Sequence, residues 1–201
     1  MDDLDKITIY FDESTLYYLY MSNTEDDVGA IKFINSKECT LEMINYDNGD
    51  GWCPLNLAAR LNRSDVVEAL IKKGADVNHV SWDYSYTPLM FCIVYGSCRG
   101  DDEEQLRTID LLINAGTNLN YEGRFSAFSK VCCSNQTEII KKLLQHPINI
   151  EFRDEDGISG MDYLIDHKNY EAISLVNKYL LNNTLQQELN AEKQIAKRVK
   201  I

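Results

Sequence analysis

Only three prolines and ten glycines interrupt 201 residues, too few for a collagen-like or low-complexity chain. Nowhere do apolar residues run on for the roughly 18 positions that a spanning helix needs. The opening residues, Met1-Asp2-Asp3-Leu4-Asp5, are acidic where a secretory leader requires basic ones. The expectation is a chain outside the membrane and the ordinary export route, working in the cytoplasm of its own cell, or of a host cell if delivered there. Basic charge is scarce as well. Twenty Lys and Arg face 32 Asp and Glu, a net charge of −12, and residues 1–50 alone hold twelve acids against three bases. Nucleic-acid binding needs a cationic footprint to displace counterions, which this balance does not supply.

Chemistry-bearing patterns are equally thin. The three histidines, His79, His146 and His167, form no i, i+4 metal pair. The six cysteines include no C-x-x-C, and Cys132 and Cys133 are adjacent, which suits neither a zinc site nor a disulfide framework. They read as reduced core thiols. No nucleophile elbow, P-loop or G-x-G-x-x-G is present. Cys132 or Cys133 could be combined on paper with His146 or His167, but no third group orients the base. The expectation is therefore no enzyme, no cofactor and no metal, with a cysteine nucleophile as the weakest alternative.

What the chain does have is 44% apolar residues, 26% charged residues and an internal repeat. Asp50-Gly51-Trp52-Cys53-Pro54-Leu55-Asn56-Leu57-Ala58-Ala59 is followed by Asp65-Val66-Val67-Glu68-Ala69-Leu70-Ile71-Lys72-Lys73-Gly74-Ala75-Asp76-Val77-Asn78. Tyr86-Thr87-Pro88-Leu89-Met90 is followed by Ile109-Asp110-Leu111-Leu112-Ile113-Asn114-Ala115-Gly116-Thr117-Asn118-Leu119-Asn120. Thr87-Pro88 is a helix start, a capping side chain before a proline whose missing N–H costs nothing at the first helical position. Val66, Val67, Leu70 and Ile71 make the apolar stripe of a second helix, and Gly74 permits the left-handed residue that ends it. Pro54 and Pro88 are 34 residues apart.

These segments resemble the ankyrin repeat, whose pattern runs G-x-T-P-L-H-x-A-A and closes on V-V-x-x-L-L-x-x-G-A-D-V-N at a period of about 33 residues. The resemblance implies an all-α solenoid of about five helix pairs over residues 1–180, because no single pair can bury both of its faces. Clear repeats fall at about 48–80 and 82–120. Degenerate ones fall at about 12–46, 121–152 and 154–180, where Ser126 and Gly160 stand in for the proline. Residues 181–201 match no repeat. Leu185, Leu189, Ile195, Ala196 and Val199 at near-helical spacing give them the look of a capping helix, with a partner-binding helix or a bacterial translocation signal as the less favoured readings.

Two stretches depart from the pattern. About eight extra residues separate the helices of the second clear repeat at 97–104, where Asp101-Asp102-Glu103-Glu104 suggests a solvated loop, or else a docking spur. Residues 35–50 exceed an ordinary inter-repeat loop, and Leu41-Glu42-Met43-Ile44 reads as an extra helical turn or a short strand.

The resemblance also implies where a partner sits: on the loop tips and the exposed face of each first helix, which together form the concave side. In that register the candidate contacts are Asp50, Trp52 and Arg60, then Asp83, Tyr84, Tyr86 and Tyr95. Tyr121, Glu122 and Arg124 follow, then Glu155, Asp156 and Asp166. Gly49, Leu61, Val94, Cys132, Cys133, Ile158 and His167 complete the positions. Aromatics supply contact area at low entropy cost, and flanking acids speed encounter with a basic surface. The expectation is a monomeric module for a basic protein partner, most simply an inhibitor of the immunity-protein kind that neutralises a toxin. The alternative is a pathogen, symbiont or viral effector that engages a host protein.

Overall fold

One chemical device starts every first helix of a pair among the described residues. In the computed structural model, which describes residues 27–49, 51–96 and 102–199 (without the side chains of 102 and 194–199), Cys53, Thr87, Ser126 and Ser159 each occupy an N-cap. Their side chains accept the backbone N–H three residues on, satisfying a donor that the helix leaves orphaned. Pro54 and Pro88 then take the first helical position. The later repeats were expected to align Ser126 and Gly160 with those prolines. The structure corrects this by one residue at the first of them: Ser126 is the cap, so Ala127 and Gly160 hold the proline position. Ser126 and Ser159 close reciprocal capping boxes with Ser129 and Asp162, which fix the helix start without proline.

The chain forms two compact units, Met1–Arg124 and Phe125–Ile201. In the first, α1 (Asp27–Asn35), α2 (Leu41–Ile44), α3 (Pro54–Arg60), α4 (Ser64–Lys72), α5 (Pro88–Tyr95) and α6 (Asp102–Asn114) follow in order. Helix α3 packs on α5, while α4 packs on both α1 and α6, so first helices form one layer and second helices the other. Leu55, Ala58, Val67, Leu70, Leu89, Phe91, Ile109 and Leu112 are buried between the layers. The run 41–44 is the single helical turn α2, not a strand.

Chain reversals follow one rule. The second helices α4 and α6 end on Gly74 and Gly116, at φ +96° and +89°. The first helix α3 ends on Asn62 at φ +57°, a conformation that Asn tolerates and whose side chain is put to use. The Asn62 amide donates to the Gly96 carbonyl at 3.3 Å, tying the turn to the next repeat. Between loops, Asn45 Oδ1 accepts from the Asp76 N–H at 2.8 Å and Asn78 Oδ1 from the Asn118 N–H at 2.7 Å. Asn45 and Asn78 thus each tie their loop to that of the following repeat.

The acidic insertion differs from the expected loop over its last part. Residues 102–104 form the first turn of α6, where negative charge complements the helix dipole. Glu104 hydrogen-bonds Ser64, and Arg107 reaches Ser64 at 2.7 Å and Asp65 at 2.7 Å, so this turn is moored to α4. Residues 97–101, like 1–26, lie outside the described residues, and with them the first helix of the expected repeat at 12–46.

In the second unit, α7 (Ala127–Cys133) packs on α8 (Thr137–Leu143) and on α9 (Gly160–Asp166), and α10 (Tyr170–Val199) packs on α8 and α9. A β-carbon at Gly160 would fall 2.6 Å from Phe128 Cε1 and 3.2 Å from Cys132 Sγ, so only glycine lets α9 approach α7 so closely. The loop before α9 is organised by Asp154, which accepts the N–H groups of Asp156 and Ile158 and, at 2.6 Å, the Tyr163 hydroxyl. Residues 181–199 continue α10 without a break from the repeat's second helix. Tyr179 is the last anchor, its hydroxyl accepting the Ile148 N–H and donating to the carbonyl of either His146 or Ile148. From Leu180 to Lys193 every side chain is exposed. Among the described residues there is no strand, and no helix is long and apolar enough to cross a membrane.

Candidate functional site

Two loops of the first unit bring the expected residues together. In the first loop Asp47 Oδ1 accepts the N–H groups of Gly49 and Gly51 at 2.8 and 2.9 Å, and Asn48 Oδ1 accepts from the Trp52 N–H at 3.1 Å. That folding presents Trp52 just ahead of α3. The second loop is a tight finger: the Ser81 N–H donates to the Tyr86 carbonyl, and the Ser85 N–H to the Ser81 carbonyl. It carries Trp82, Asp83 and Tyr84 at its tip, all exposed. The loops touch at Gly51, whose φ is +81°. A β-carbon there would fall 2.5 Å from Trp82 Cδ1 and 2.7 Å from Ser81 Cα. His79 braces the pair, its Nε2 lying 3.1 Å from the Gly51 carbonyl and 3.3 Å from Asp47 Oδ2.

Behind the tips is one aromatic cluster. Phe91 of α5, fully buried, is its hub, with ring centroids 4.6 Å from Trp52, 5.5 Å from Tyr86, 6.1 Å from Tyr95 and 6.2 Å from Tyr84. Tyr84 meets Trp52 edge-on at 6.2 Å, an orientation that the ring quadrupoles favour. The Trp52 indole N–H donates to Asp83 Oδ2 at 3.3 Å, locking the first loop to the finger. At the end of α3 the Arg60 guanidinium lies over two rings, 4.8 Å from the Tyr95 centroid and 5.5 Å from Trp52. Burial, reinforced by the neighbouring tyrosines, holds the Tyr95 phenol above its ordinary value, so it stays neutral.

A family model described as ankyrin repeats, three copies, matches residues 28–120, the span that carries this cluster. The chain carries ankyrin repeats over residues 28–120. It is 29% identical over 139 residues to an ankyrin repeat protein of fowlpox virus (strain NVSL), covering 66% of this chain and 38% of that one. It is 28% identical over 127 residues to an ankyrin repeat protein of Acanthamoeba polyphaga mimivirus, covering 59% and 20%. An ankyrin repeat and KH domain-containing protein of Caenorhabditis elegans is 25% identical over 148 residues, covering 64% and 6%. The chain thus spans two fifths or less of the length of these relatives. Ankyrin repeats are protein-binding modules, and they carry the fold here.

Of the expected contacts, the ankyrin-repeat protein gathers Trp52, Arg60, Asp83, Tyr84, Tyr86 and Tyr95 into this one site. Tyr86 does not face outward as expected: it is 6% exposed, its ring turned down against Phe91 and Tyr84, so it supports the surface from beneath. Asp50 lies outside the described residues. Tyr121, Glu122 and Arg124 close the first unit, Tyr121 half-buried beside Gly123 and the two charged residues exposed. Glu155 and Asp156 are exposed on the Asp154 loop of the second unit, and Asp166 at the end of α9. Trp82, 77% exposed, was missed. Register alone put the contacts one residue later, and the available signal was a tryptophan standing in a polar run.

Among the described residues neither the Cys132 nor the Cys133 thiol pairs with His146 or His167. Cys132 is fully buried, and burial raises its thiol far above the ordinary range. Burial likewise pushes the Cys53 thiol up to about 12. Cys133, expected in the core, is exposed instead, because α7 turns only one face to its neighbours. The His167 ring contacts the Cys133 backbone carbonyl at 2.9 Å, not a thiol. Among the described residues no three His, Cys, Asp or Glu side chains are placed to hold a metal.

Proposed function

We propose that this ankyrin-repeat protein is a non-enzymatic inhibitor that captures a basic protein surface on the finger and first-helix face of residues 49–95. The carrying observation is the pairing of exposed rings, Trp82 at 77% and Tyr84 at 41%, with Asp83 between them on a rigid backing. The backing means that less conformational freedom is lost on docking, so more of the gain from burying the rings is kept as affinity. The net charge of −12 adds long-range attraction for a cationic partner. Occluding a toxin's working surface, as an immunity protein does, requires no more than such a face.

The viral relatives favour a second reading, in which the same face engages a host protein. Both readings are tested by pull-down from cells that express the chain, comparing wild type with a Trp82→Ala, Tyr84→Ala double variant. A basic protein held by wild type and released by the double variant supports the site. Co-expression then separates the readings: an inhibitor relieves its partner's toxicity, whereas an effector alters host cells when expressed alone. Equal retention by both proteins overturns the site.

A further inference from the structure

Arg60 is the unspent charge of this site. Its guanidinium is exposed, lies on Tyr95 and Trp52, and has no carboxylate within ion-pair distance among the described residues. The other arginines of the first unit whose contacts are described are engaged: Arg63 with Asp27 at 3.0 Å, and Arg107 with Asp65 at 2.7 Å. Asp83 lies in the same site, yet its carboxylate is turned to the Trp52 indole N–H. Stacking on rings satisfies the face of a guanidinium but none of its N–H groups, which project from the edge in a planar fork. Placed over rings from two repeats, that fork has less rotamer freedom left to lose when a partner arrives.

We propose that Arg60 receives a carboxylate, an Asp or Glu side chain of the partner, in a two-pronged hydrogen bond that sets the register of docking. The inference rests on the binding face argued above and adds to it. The partner's surface, basic at large, carries one acidic residue that lands between Trp52 and Tyr95. The surrounding acids of this chain make that position selective: an acidic residue is repelled elsewhere on the face and accepted only at Arg60. A lysine at position 60 would keep the charge but lose the fork.

The test selects a displayed library of random twelve-residue peptides against the full chain, against Arg60→Gln and against the Trp82→Ala, Tyr84→Ala double variant. Arg60 is exposed, so the variant should keep its fold, checked by circular dichroism. Wild type should enrich basic peptides with an acidic residue at one fixed position. In the best peptide, Glu→Gln should weaken binding to wild type about tenfold, and to Arg60→Gln by no more than about twofold, as the loss of one charge-assisted bond requires. Arg60→Lys should fall between. Basic peptides without a fixed acid, or a fixed acid that persists against Arg60→Gln, overturn the inference and leave the binding face standing. Tighter binding of a phosphoserine peptide than of its Glu parent overturns the choice of a carboxylate. Equal enrichment on the double variant removes the binding face itself, and the inference with it.

Discussion

At the scale of single residues, rings that look alike in the sequence have different work. Trp82 is mostly in solvent and Phe91 and Tyr86 are buried, although all three fall within ten positions. Trp82→Ala should leave the melting temperature within a degree or two and cost about 2 kcal/mol of partner binding, roughly thirtyfold in affinity. Tyr86→Ala should act mainly on stability, removing about 3–5 kcal/mol through the cavity left against Phe91. Urea titrations beside binding curves check both, and a destabilised Trp82→Ala would mean that its ring is part of the core. Gly51 links the two behaviours. Its φ of +81° and the closeness of Trp82 leave no room for a β-carbon, so Gly51→Val should displace the finger and weaken binding without touching any contact directly.

At the scale of elements, caps and reversals decide what forms. The two clear repeats were legible because Thr87-Pro88 and Pro54 start helices and Gly74 and Gly116 end them, all by local rules. The weaker copies were legible in outline only: with serine capping and no proline, nothing in the pattern distinguished the cap from the residue after it. Burial of Tyr86 and exposure of Trp82 were not legible from repeat register, because alternation in a loop follows its hydrogen bonds and not a fixed period. Nor was the helical start of the acidic run, which depends on Ser64 and Arg107 contacts distant in sequence. Gly160→Val should cost about 1–3 kcal/mol by forcing α9 off Phe128. Asp154 gives the second unit a pH dependence. Burial draws its pKa upward, but the Tyr163 hydroxyl and the Ile158 and Asp156 N–H groups outweigh that and hold it below the ordinary value. A depressed carboxylate stabilises fully above its unfolded pKa, about 4, and the contribution is lost as pH falls through the folded value. Wild type should therefore lose stability faster than Asp154→Asn as pH drops below about 4, measured by urea melts from pH 5 to 2.

At the scale of the whole molecule, charge and rings divide the task of binding between encounter and retention. With −12 overall, association with a basic partner should slow as salt screens the attraction. Asp83→Lys should lower the association rate and flatten that dependence, while also freeing the Trp52 indole from its acceptor. The exposed length of α10 beyond Tyr179 takes no part in this account, although its basic residues and leucines had made it a rival element. The most direct measurement is the dissociation rate of the recovered partner from three full-length proteins: wild type, the Trp82→Ala, Tyr84→Ala double variant, and a Leu181→Glu, Leu185→Glu, Leu189→Glu triple variant. The account predicts much faster dissociation from the double variant and an unchanged rate from the triple variant, with melting temperatures preserved. Unchanged dissociation from the double variant, with release from the triple variant, would contradict it and assign the binding to α10.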